Sequence, residues 1–205
     1  MSRRPGPAGP VPAGPRPAGP PPSEAALHEA ALAHLARYAA TRAGLVAVLD
    51  RRIARWLRAA GAEGHQDAGD PAAVARGHAR AVADRLVTQG LVNDAAFAES
   101  RARNLTRAGR SRRAVAAHLA ARGIAAETAQ AAIPDDPQAE LAAAVTLTRR
   151  RRIGAFRAAE AVSPEVVRRE LAVLARAGFA QSVAVQALRM DRAAADDLLH
   201  RVRHA

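Results

Sequence analysis

Residues 123–133, GIAAETAQAAI, align without a gap to residues 178–188, GFAQSVAVQAL, sharing the glycine and three alanines. A repeat of this kind restricts the fold more than any single helix does, because a unit too small to bury a core alone has to stack on its neighbours. The repeat extends upstream. Thr41, Ser111 and Ser163 each stand where a helix starts, followed four residues on by Leu45, Val115 and Val167, and four further on by Leu49, Leu119 and Leu171. That i, i+4, i+8 spacing makes one apolar stripe per helix. Further starts fall at Ser23, Asp70-Pro71, Asn93-Asp94 and Asp136-Pro137, where a side-chain oxygen serves the free N–H groups of a first turn. Stops fall at Gly61, Gly64, Gly90, Gly109, Gly123, Gly154 and Gly178. Strand-like alternation is missing. The pattern predicts an all-α chain of three tandem three-helix units: 23–92, with an insertion near 60–70; 93–136; and 137–205, with a longer connection around Gly154.

Nearly half of the residues are apolar, mostly alanine, and only five are aromatic, so the core is thin and suits closely packed helices. Residues 1–22 hold nine of the 13 prolines and nothing apolar to bury. They predict a disordered, partly polyproline-II tail rich in Pro, Gly and Ala. Cysteine is absent, no apolar run approaches a membrane span, and the N-terminus lacks a secretory h-region. A monomeric cytoplasmic protein without a membrane partner is the expectation.

The formal net charge is +12, and all 31 basic residues are arginine. A GC-rich genome accounts for arginine over lysine. It does not account for the surplus, which predicts a polyanionic partner, either nucleic acid or an acidic protein surface. Within GLVNDAAFAESRARNLTRAG (90–109), Asn93 and Asp94 cap a helix and Phe97 takes its first core position. Arg101 shares the face of Phe97 and Leu105, so its stem is semi-buried and its head reaches solvent or a carboxylate. Arg103 and Arg107 lie opposite. Between Ser100 and Ala126 there are seven arginines and no acid, which predicts an anion-facing surface of Arg103, Arg107, Arg110, Arg112 and Arg113. Arg149, Arg150, Arg151 and Arg152 form a second cluster at a helix C-terminus, in excess of what the helix dipole requires. Arg168 and Arg169 add to it. The clusters are not interleaved with aromatics, Phe156 being the nearest case, so any DNA contact is expected to be backbone-driven and sequence-nonspecific.

No catalytic, metal or cofactor site is expected. Asp135-Asp136 precedes a proline and reads as a cap. Asp196, Asp197 and His200 offer at most a lone carboxylate–imidazole pair on a terminal helix. The seven histidines lack metalloprotease spacing, and no glycine-rich phosphate loop is present.

Three segments, GLVNDAAFA (90–98), SRRAVAAHLAARGI (111–124) and RRELAVLARAGF (168–179), resemble the RecX family of recombination regulators, in order along residues 23–200. Asn93 stands where the family usually has aspartate; either residue caps. The resemblance implies three tandem three-helix repeats in a curved array and no enzymatic activity. It implies binding to the RecA recombinase and its DNA filament, in the filament groove, restraining filament growth, ATP hydrolysis and strand exchange. The competing expectation from charge alone is a sequence-nonspecific nucleic-acid-binding helical protein that acts without RecA.

Overall fold

The computed structural model describes residues 18–158 and 163–204. Within them lie ten α-helices and no strand. In chain order these are α1 (Glu24–Leu35), α2 (Arg42–Ala62), α3 (Gly69–Thr88), α4 (Asp94–Arg107), α5 (Arg112–Ala120), α6 (Ala126–Ala132), α7 (Pro137–Arg151), α8 (Pro164–Arg176), α9 (Gln181–Arg189) and α10 (Arg192–His204). Short 3-10 turns lie at Gln66–Ala68 and Gly154–Phe156. None of the described helices is long and apolar enough to cross a membrane.

Most of the expected caps act as their chemistry dictates; Asp70 does not, since α3 already begins at Gly69 and takes Asp70 and Pro71 into its first turn. Ser23, Asn93, Ser111 and Ser163 each accept from the backbone N–H three residues on, at 2.9–3.3 Å. Asp136 accepts from Gln138 N at 2.8 Å, with Pro137 opening α7. One expected stop fails: Gly61 lies inside α2, which turns out only at Gly64, φ +82°. Residue 61 has no left-handed torsion to end the helix there, and the N–H groups of Glu63 and Gly64 still bond back to Ala59, Ala60 and Gly61.

Two compact units form. The first holds residues up to Arg37 together with Val46–Arg85, and the second holds Tyr38–Leu45 with everything from Leu86 onward. In the first, Leu27, Leu49, Ile53 and Val82 are fully buried among small residues such as Ala31 and Ala79. Arg85 pairs with Glu24. The expected disorder of residues 1–17 lies outside the described residues. Residues 18–22 depart from the expectation of an unpacked tail: Ala18 N donates to Glu63 Oε1 at 2.7 Å, and Trp56 Nε1 donates to Gly19 O at 3.1 Å.

The second unit has two cores. One gathers Val115, Leu119, Ile124 and Ile133 around Ala98 and Ala102 of α4. Phe97, expected at the first core position, is only partly buried and packs against this cluster from its edge. Alanine, whose single methyl group lets helices approach closely, takes the interior of α4. The other core joins Leu141, Val145, Leu174, Phe179 and Leu198 of α7 to α10.

Two similar joints recur in the second unit. Thr41 Oγ1 donates to Arg122 O at 2.8 Å while Asp94 Oδ1 accepts from Arg42 N at 2.8 Å. Likewise Ser111 Oγ donates to Ala177 O at 2.7 Å while Glu140 Oε2 accepts from Arg112 N at 3.0 Å. A helix-start hydroxyl thus closes a carbonyl at another helix's end, and a carboxylate closes the N–H beside it. Each joint needs a glycine. A Cβ on Gly123 would meet Ala43 Cβ at 2.3 Å, and one on Gly178 would meet Ser111 Oγ at 2.8 Å. Leu45, Leu49, Val115 and Leu119 are fully buried, as the stripe predicts. The third copy departs from it: Val167 is exposed and Leu171 only partly buried. Pro164, which stands where Arg42 and Arg112 stand, has no N–H for a carboxylate to close. Glu170 and Leu174 face inward in α8 instead.

Candidate anion-binding surface

The turn between α4 and α5 crosses α7 closely. Gly109 adopts φ +82°, and a Cβ there would meet Thr146 Cγ2 at 3.0 Å and backbone atoms of Ala143 and Leu147 at 3.2 Å. A side chain would push the elements apart. This approach brings the exposed face of α4 beside the last turns of α7, and with it two runs of arginine far apart in sequence.

A cleft of about 890 Å³ results. Its rim carries Arg103 and Arg107 of α4 and Arg149 and Arg150 of α7; Ala139, Ala142, Leu199 and Val202 contribute apolar wall. A second cleft of about 500 Å³ shares Arg150 and adds Arg110, Arg151 and Arg176, with no acidic residue in its lining. Seven arginines therefore line two adjoining clefts, against one acid, Asp136, whose carboxylate is engaged as the α7 cap. Arg150 Nη1 donates to Ala108 O at 2.8 Å. This closes an end carbonyl of α4 and fixes the guanidinium between the clefts. Arg107, Arg110 and Arg149 meet no carboxylate within 4 Å among the described residues. Arg103 lies 3.7 Å from Glu99, with both side chains more than half exposed, so solvent screens the pair and leaves the cation available.

The local field is positive enough to act on a neighbour. Arg101 is half-buried, as its helical phase predicts, but its head meets an imidazole rather than a carboxylate: Nε donates to His118 Nε2 at 3.1 Å. Burial, then the charges of Arg101, Arg122 and Arg110, hold His118 below the usual imidazole value. A histidine accepting at Nε2 beside three guanidinium groups is neutral.

Not every expected cation joins the surface. The stretch 100–126 holds no acid of its own, but acids arrive from elsewhere in the fold. Arg112 pairs with Asp135, and its backbone N–H is taken by Glu140, whose carboxyl burial raises above its ordinary range against the opposing pull of Arg112. Arg168 pairs with Glu165 at 2.9 Å. Arg113, Arg152 and Arg169 are exposed but line neither cleft; Arg152 closes α7 in the left-handed conformation, φ 55°. Arg157, at the end of the RRRRIGAFR run, forms a half-buried fork with the buried Glu170 at 2.9 and 2.5 Å, while Glu170 also accepts from Gly154 N at 3.2 Å. That arginine holds a turn together. Phe156 is buried with Arg192 over its ring at 4.5 Å, so it offers no face to a base. Asp196 and Asp197 pair with Arg192 and Arg201 along α10. Among the described residues no group of three or more His, Asp or Glu could hold a metal ion.

Arg176 is the cleft residue that charge clustering misses, because it stands alone near the end of α8. Its signal is positional: Arg-Ala-Gly occurs at 107–109 and again at 176–178, each time at a helix stop.

The family model for the second three-helix domain of RecX matches residues 93–133. The chain is 36% identical over 159 residues to a regulatory protein RecX of Myxococcus xanthus, covering 75% of this chain and 79% of that protein. It is 38% identical over 123 residues to a regulatory protein RecX of Mycobacterium ulcerans, covering 57% and 67%. The crystal structure of RecX from Lactobacillus salivarius superposes with a TM-score of 0.57 over 89% of this chain and 97% of that one, at 19% identity. That likeness speaks for the fold alone.

Proposed function

Since this chain belongs to the RecX family, we propose that it is a non-catalytic regulator of the RecA recombinase. In this reading it binds RecA and its DNA filament and restrains filament growth, ATP hydrolysis and strand exchange. The observation that carries the reading is the row of arginines along the two clefts of the second unit. Guanidinium groups match carboxylate and phosphate geometry in paired hydrogen bonds. A partner lying along the row meets acidic side chains of protein and phosphates of DNA with one chemistry. No aromatic stands among the cleft residues, so contact with DNA is through the backbone and blind to sequence.

The test is RecA-driven ATP hydrolysis on single-stranded DNA with the protein titrated in. Arg107→Glu, Arg110→Glu and Arg149→Glu together change three cleft cations that have no carboxylate partner. Arg113→Glu, Arg152→Glu and Arg169→Glu together make the same charge change outside the clefts. The cleft variant should lose its effect on RecA and the control variant should keep most of it. Equal loss in both would reduce the effect to net charge and sink the cleft assignment. A nucleic-acid-binding protein acting without RecA would use the same row of cations. A pull-down with nuclease separates the two: RecA stays bound in the first case and is lost in the second.

A further inference from the structure

The outer face of α2 carries a feature that the regulator reading does not use. Pro20, Pro21 and Pro22 line a cleft of about 470 Å³ with Arg52, Arg55 and Trp56. The segment is held by its backbone: Ala18 N–H goes to Glu63 Oε1 and Gly19 C=O receives Trp56 Nε1–H. Gly19 adopts φ +63° in open space, where an added Cβ would meet nothing within 4 Å. Glycine is therefore required by torsion and not by crowding. The three prolines hold φ near −65° by ring closure and present a stiff, extended ligand at low entropic cost. Proline-rich segments are recognised elsewhere by aromatic-lined grooves; here the glycine adds a left-handed turn to the segment.

The sequence adds a second observation. Pro-Ala-Gly-Pro occurs three times, at 7–10, 12–15 and 17–20, with a constant spacing of five residues. The bonded residues, Ala18 and Gly19, are the middle of the third copy. The two upstream copies offer the same donor, the same acceptor and the same glycine.

We propose that the face of α2 around Trp56 is a recognition site for Pro-Ala-Gly-Pro segments that turn left-handed at the glycine, occupied in cis by Ala18 and Gly19 of the third copy and open to the other two. One site with three tethered ligands stays filled, because a short tether keeps the local ligand concentration high. The two bonds read backbone and conformation, so the site selects for the glycine torsion and the flanking prolines and not for any large side chain.

Trp56 is the chain's single tryptophan, so its emission reports occupancy directly in the full-length protein. Gly19→Val disfavours the docked torsion of the third copy only; Gly9→Val, Gly14→Val and Gly19→Val together disable all three. The triple variant should show red-shifted emission and faster acrylamide quenching, with an unchanged helical circular dichroism spectrum. The single variant should remain near wild type, since the copy at 12–15 takes the place. A peptide of residues 11–22 added to the triple variant should reverse the shift saturably. The same peptide with valine for both glycines should bind more weakly by about tenfold, the cost of a left-handed torsion at a β-branched residue. Unchanged emission in the triple variant, or equal binding of the two peptides, would overturn the site. A single variant already as exposed as the triple would overturn the exchange of copies. None of these outcomes touches RecA regulation, so the two readings fail separately.

Discussion

Ser111→Ala isolates what a joint in the second unit contributes, and the chain contains its own control. Ser111 is fully buried; its hydroxyl accepts from Ala114 N at 3.2 Å and donates to Ala177 O at 2.7 Å. Ser163 makes the same local cap, to Val166 N at 3.3 Å, but is exposed. Removing a serine cap costs about 1 kcal/mol. At position 111 the change also strips Ala177 O of its hydroxyl donor, a half-buried carbonyl worth about 1 kcal/mol more. Ser111→Ala should therefore cost about 2 kcal/mol against about 1 kcal/mol for Ser163→Ala. Urea unfolding followed by circular dichroism, with the slopes compared to exclude a change in the surface exposed, measures both. Thr41→Ala, which breaks the matching bonds to Arg122 O and Gly44 N at 2.8 and 2.9 Å, should fall with Ser111→Ala. If Ser111→Ala costs no more than Ser163→Ala, the hydroxyl–carbonyl bond contributes nothing and the joint is held by packing at its glycine.

Phe97→Ala should cost less than the roughly 3–5 kcal/mol of a fully buried aromatic, since the ring sits at the edge of its core; Leu119→Ala, fully buried, should exceed it in the same titration. His118 has a folded-state value below its unfolded one, so the unfolded chain binds more protons as acid is added. Its contribution is complete above the ordinary imidazole value and is lost as pH falls through the folded one; His118→Gln should flatten that part of a stability–pH curve. Binding of single-stranded DNA, measured against salt, should follow a log–log line with a slope near 0.7 per phosphate neutralised, and the triple cleft variant should show a shallower slope than the control variant of equal charge.

Helix content and most caps were legible in the residues because each rests on local chemistry. A serine three residues ahead of an orphan N–H, or a glycine where the chain turns left-handed, acts the same way in any tertiary setting. The semi-buried stem of Arg101 followed from helical phase for the same reason. What the residues alone did not decide was pairing between distant segments. The acids that engage Arg112 and Arg168 and the carbonyl that engages Arg150 are set by which helices meet. Arg176 joins Arg110 only because Gly109 lets one turn approach α7. The third apolar stripe is buried less deeply because its burial depends on a neighbour: Val167 stays 37% exposed and Leu171 only partly buried. Charge count follows from composition. Which charges remain free to meet a partner is a property of packing, since a guanidinium is satisfied or left open by atoms that sequence distance does not rank.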